Sequence, residues 1–143
     1  MRFYSFTHFM LSPIQQGIQT AHVVHQTFVD TTNDLAKEML WDWAKDHKTI
    51  IVLNGGNTYD LSCLRVRVAQ LCSYMGLPHS AFYEDQQSLN GTITAVGCVV
   101  PESIYQLSAT IGNDENGSTP EQLGYIQAEI ELAELLAAHS LAR

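Results

Sequence analysis

The chain opens with an alternating run, Phe3, Ser5, Thr7 and Phe9 against Tyr4, Phe6 and His8, which Ser12-Pro13-Ile14-Gln15 cuts off. The two-residue period and the density of aromatic and β-branched side chains predict a strand over residues 2–9. Ser12 suits a helix N-cap. Pro13 fits the first helical position, where its missing N–H costs nothing, and Gln15 stands where it can close a capping box. A strand that feeds a helix and then another strand favours a parallel pair with a right-handed crossover. The opening therefore points to an α/β chain.

The rest of the pattern fits that frame. In the first helix, Ile14, Ile18, Ala21, Val24 and Phe28 form an apolar stripe expected to face the core, and Gln15, Gln19, His22 and Gln26 form a polar one. A second helix is expected from Asn33 or Asp34 through Leu35, Met39, Leu40 and Trp43, ending near Asp46, with Trp41 on its outer side. Residues 48–53 are a compact β-branched run and predict a buried strand. After the Asn54-Gly55-Gly56-Asn57 turn, Leu61, Leu64, Val68, Leu71, Cys72 and Met75 line one face of a third helix, which Gly76 ends. Residues 79–83 predict a short strand, 84–91 a polar loop, and 92–100 a long strand that closes a hairpin. The expected fold is α/β: a mixed four-stranded sheet with helices on both faces, spanning residues 1–111.

Residues 112–118 have a linker's composition. Beyond them Thr119-Pro120-Glu121-Gln122 repeats the start signal of the first helix and predicts a C-terminal helix over 119–143. Its stripe of Leu123, Ile126, Ile130, Ala133 and Ala137, widened by Leu132, Leu135 and Leu136, fits two arrangements. It either reaches a second copy and makes a homo-oligomer, or folds back on its own sheet.

Composition sets the remaining bounds. The chain is 45% hydrophobic and 15% charged, enough core material and too little charge for a disordered chain. No stretch reads as a signal peptide or a membrane span, so the expected compartment is cytoplasmic. Cys63, Cys72 and Cys98 lack metal or redox spacing and sit among apolar neighbours that read as core. The net charge of −8, with only seven Lys and Arg, opposes a protein whose affinity rests on phosphates. Arg65, Arg67, Lys45 and Lys48 are the candidates for a local basic patch. His22 and His25, even with His8, lack the further ligands a metal site needs. The Asn54–Asn57 turn lacks the Lys-Ser or Lys-Thr of a phosphate loop. No metal or cofactor is expected.

The element order and two local patterns resemble the peptidyl-tRNA hydrolase 2 family, over about residues 1 to 105. In that family the first helix carries a Lys, four residues later a Gln, and three further on a His. Here Gln19 and His22 match, Gln15 replaces the Lys, and Val23 stands where a small residue is usual. The second pattern is Gly91-Thr92-Ile93-Thr94 at the head of the last strand, similar to the family's Gly-Thr-x-Thr. The acid that precedes it survives in Glu84-Asp85, whereas the family's Arg does not. The resemblance implies hydrolysis of the ester between peptide and tRNA, with Gln15, Gln19, His22, Asp85, Thr92 and Thr94 around one cleft and tRNA as a partner. Glutamine at 15 brings no charge to a developing anion, so weak or lost activity is expected. The alternative is a non-catalytic relative that binds a small molecule or a protein in the same cleft. Gln15 itself reads either as a cap residue or as a site residue.

Overall fold

The computed structural model describes residues 1–111 and 119–143; the linker expected at 112–118 lies outside the described residues. Four strands, β1 (Arg2–Thr7), β2 (Ile50–Asn54), β3 (His79–Tyr83) and β4 (Ile93–Val100), form one sheet in the order β2-β1-β4-β3. β1 and β2 are parallel, while β4 runs antiparallel to both β1 and β3. Helices α1 (Pro13–Asp30), α2 (Asp34–Asp42), α3 (Thr58–Met75), a four-residue α4 (Gln86–Leu89), α5 (Glu102–Thr110) and α6 (Gln127–Ala137) surround it. The fold is the expected mixed α/β sheet with helices on both faces. The expected order of elements omitted α5, which begins directly after Pro101. Among the described residues no helix is long and apolar enough to cross a membrane.

Each face of the sheet has its own core. On one side Tyr4, Phe6, Val96, Cys98 and Val100 meet the stripe of α3, with Ile104 and Leu107 of α5 and Ile130, Leu132, Ala133 and Leu136 of α6. On the other, Phe3, Ala95 and Val99 meet Val23 of α1, Leu40 of α2 and Trp43. Phe3 and Trp43 lie with ring centroids 5.2 Å apart, and the Trp43 indole N–H donates to the Thr49 carbonyl at 2.9 Å. A π-helical turn, Trp43–His47, carries α2 to the left-handed Lys48. Gly97 is where Phe3 needs room: a Cβ there would stand 2.6 Å from the ring.

Several expectations are corrected. Residues 48–53 predicted a buried strand, but β2 is an edge. Ile50 is 42% exposed, and the C-terminal tail covers part of the edge through Asn54 N–H to the Ser140 carbonyl and Ala142 N–H to the Val52 carbonyl. The C-terminal helix does not begin at Thr119. Thr119 and Gln122 do cap each other, yet Gly124 at φ +89° ends that single turn, and α6 starts at Gln127 with Glu129 accepting from the Ile126 N–H. Of its two possible arrangements the helix takes the inward one. Ile130, Leu132, Ala133 and Leu136 are buried in the same core as α3 and α5, while Leu123, Ile126 and Ala137 stay exposed. Cys72 and Cys98 are core; Cys63 is exposed. The basic residues form no single patch. Arg65 and Arg67 lie on α3, across the sheet from Lys45 and Lys48, and Arg67 is paired with Glu131 at 3.0 Å.

The largest correction concerns α1. Its start is as expected: the Ser12 hydroxyl accepts from Gln15 N–H, and Gln15 Oε1 accepts from Ser12 N–H. Its buried face is not. Ile14 and Ile18 are 77% and 48% exposed, and the residues turned to the sheet are Gln16, Gln19, Thr20, Val23 and Thr27. The cause is the surface underneath. At this end of the sheet β1 and β4 present Ser5, Thr7 and Thr94, which are all buried and need polar partners.

Candidate functional site

β1 and β2 are parallel neighbours whose following helices, α1 and α3, pack on opposite faces. Their carboxyl ends therefore meet at a switch in the topology, the place where an open α/β sheet usually has its ligand crevice. The crevice floor is tightly tied. Gly55 N–H donates to the Thr7 carbonyl at 2.8 Å, and Phe9 N–H to the Gly56 carbonyl at 2.9 Å. A Cβ on Gly55 would press within 2.5 Å of a Leu61 methyl, so backbone alone fits there. His8 Nδ1 accepts from Met10 N–H, which assigns the ring proton to Nε2, 3.3 Å from the Thr58 hydroxyl.

The centre of the site is Gln19. It is 6% exposed, and its side-chain N–H₂ donates to Glu84 Oε1 at 2.6 Å while its Oε1 accepts from the Thr94 hydroxyl at 2.7 Å. These bonds fix which way the amide points. Thr94 reaches α1 because β4 is irregular at this point. β3 pairs Phe82 with Ala95 and Tyr83 with Ile93, so Thr94 has no residue opposite on that strand. An extra residue of this kind bends a strand and re-aims a side chain. A second polar bridge, Ser5 Oγ to Thr20 Oγ1 at 2.9 Å, lies behind Gln19. The buried Thr7 hydroxyl has no partner among the described residues.

The other expected site residues divide. His22 is exposed and stacks flat on Phe82 of β3, centroids 4.4 Å apart, beside the network and outside it. Gln15 is committed to the cap of α1. Asp85 is fully exposed and caps α4; the Ser88 N–H, 2.6 Å away, holds its carboxyl below the ordinary carboxylate value. The expected strand over 92–100 would include both Thr92 and Thr94. Instead Thr92 precedes β4 and donates to the Leu89 carbonyl at 2.5 Å within the loop. The acid that joins Gln19 is Glu84, one residue before the expected Asp85. Only the end of the strand at Tyr83 hints at this, because Glu84 leaves the sheet in a direction set by the irregular pairing.

Chemically, Glu84 offers one fixed oxygen and one without a partner among the described residues, and it is half-buried. Such a carboxylate can take a proton from a bound water or hold a hydroxyl. Thr94, its proton committed to Gln19, can accept. The family's lysine has no counterpart here, since Gln15 is neutral; Arg67 is tied to Glu131, and Arg143 meets α1 through its carbonyl, which accepts from the Gln16 side-chain amide at 3.3 Å. The described residues hold no group of three or more His, Cys, Asp or Glu side chains placed for a metal ion. No protein-family model and no curated protein matches this chain.

Proposed function

We propose that the chain is a divergent relative of the peptidyl-tRNA hydrolase 2 family, whose crevice at the end of β1 hydrolyses the ester of peptidyl-tRNA with weak turnover. The observation that carries this reading is the Gln19 bridge between Thr94 and Glu84. Two residues singled out by the resemblance, 75 positions apart, share one buried hydrogen bond beside a half-buried carboxylate. In this reading Glu84 orients and deprotonates the attacking water, and Gln19 holds Glu84 in place. The exposed Phe9, Met10, Ile14 and Ile18 beside the crevice supply apolar surface for the peptide part. A negatively charged chain holds tRNA poorly, and binding that weakens steeply with salt is the expected behaviour.

A second reading, ligand binding without turnover in the same crevice, draws on one feature. Gln15 stands where the resemblance implies a lysine, and both its polar contacts serve the helix cap. The experiment that separates the two measures release of free tRNA from purified peptidyl-tRNA by the full chain and by Glu84→Gln. Slow release that Glu84→Gln lowers by about tenfold or more supports the hydrolase. Release equal to the spontaneous rate with both proteins leaves the binding reading.

A further inference from the structure

A cavity of about 520 Å³ runs along the outer edge of β3, between the end of α1 on one face of the sheet and α3 on the other. It lies outside the Gln19 network. We propose that this cavity binds a short peptide in extended form, paired with the edge of β3, its ammonium at Asp30 and its carboxylate at Arg65.

The pairing follows from the register. Val99 N–H donates to the Pro78 carbonyl at 2.9 Å, and bonded pairs alternate along an antiparallel ladder. Ser80 therefore faces Gly97 with its backbone groups, and the N–H and carbonyl of His79 and Ala81 point away from β4, into the cavity. A free strand edge of this kind takes the backbone of an added chain, and side pockets then select among sequences. Here the walls are Val68, Ala69 and Ala81, so small side chains fit.

The ends are marked by opposite charges. The Asp30 carboxylate accepts from the Ser80 hydroxyl at 2.5 Å and from the Gln26 side-chain amide at 2.9 Å, both neutral donors. It sits in the last turn of α1, which holds no basic residue, so the helix's own carbonyls add to its negative potential. Ser80 fixes this charge near the start of β3. Arg65 has no carboxylate within ion-pair distance among the described residues. On the same helix Ser73 meets His79 at 3.4 Å, and Arg65, eight residues earlier, lies about 12 Å along the axis towards the Tyr83 end. At roughly 3.3 Å per residue that separation suits three to four residues, parallel to β3. A second copy of the chain is disfavoured as occupant, because its own five-residue β3 would lie equally deep between two helices.

The test is calorimetric titration of the full chain with tetra-alanine bearing free termini, and with its N-acetylated and C-amidated forms. Asp30→Asn and Arg65→Gln change exposed side chains, and circular dichroism checks that both variants remain folded. Acetylation and Asp30→Asn should each weaken binding by about threefold or more, with no further loss when combined. Amidation and Arg65→Gln should behave as a second such pair. Affinity that ignores both terminal blocks, or no binding at millimolar peptide, overturns the proposal. So does light scattering that shows dimers lost on Arg65→Gln, since the edge would then hold a second copy.

Discussion

Replacing Thr94 by Val keeps the shape of the side chain and removes the hydroxyl that donates to Gln19. Thr94 is 2% exposed and Gln19 6%, so water cannot replace the lost donor at Gln19 Oε1. An unsatisfied buried acceptor costs about 1–3 kcal/mol. For a chain of this length each kcal/mol lowers the melting temperature by roughly 2–4 °C, so a fall of about 2–12 °C is expected. Gln19→Leu, in turn, strands the Thr94 hydroxyl and frees Glu84 to turn to solvent. The double variant removes both ends of the bond and should cost less than the two singles together, by about 1 kcal/mol or more. Urea unfolding followed by circular dichroism at pH 7 measures all four corners of the cycle. Single-variant costs that add to within about 0.3 kcal/mol would refute the coupling, and with it the claim that Gln19 organises the crevice.

Thiol labelling at pH 8 should modify one cysteine quickly and two only on unfolding. Cys63 is exposed, whereas the hydrogen bond to Cys98 and burial push the Cys72 thiol well up. Gly97→Ala should destabilise the chain by about 1–3 kcal/mol in the same urea assay, because the new methyl meets the Phe3 ring at 2.6 Å and Val23 at 3.2 Å. Burial raises the Tyr4 phenol above its ordinary value near 10, against the pull of Arg2. A pKa raised on folding contributes stability that is complete below the unfolded value and lost as pH rises through the folded one. Unfolding should therefore become easier above pH about 10, and Tyr4→Phe should remove part of that alkaline loss.

The sheet was legible in the sequence because its signals are local and agree with one another. Ser12-Pro13-Ile14-Gln15 starts α1, Gly76 takes the left-handed position at the end of α3, and the period of Leu61, Leu64, Val68 and Leu71 is the face that α3 buries. The buried face of α1 was not legible. Its most apolar stripe, Ile14 and Ile18, loses to Gln16, Gln19 and Thr20 because the sheet beneath is polar, a fact that lives in two other segments of the chain, β1 and β4. The same holds for Glu84. Sequence spacing ties an acid to the loop, but the skipped partner at Thr94 decides which of two adjacent acids meets Gln19. The C-terminal start signal misled for a different reason: the cap at Thr119 is real, and a left-handed glycine five residues later stops the turn it begins.

The most direct test of the crevice as a weakened ester hydrolase is a gain of activity at position 15. Lysine there would bring the positive charge that the resemblance implies at this position, at the cost of about 0.5–1 kcal/mol from the cap it disrupts. Removing a single group that stabilises an oxyanion typically slows an enzyme by about 10²–10³. Initial rates of tRNA release from peptidyl-tRNA, measured for the native chain, Gln15→Lys and Gln15→Lys with Glu84→Gln, should therefore rise by about tenfold or more with the lysine and fall back when Glu84 is neutralised. A Gln15→Lys rate no higher than the native one, or a gain that survives Glu84→Gln, would contradict the account.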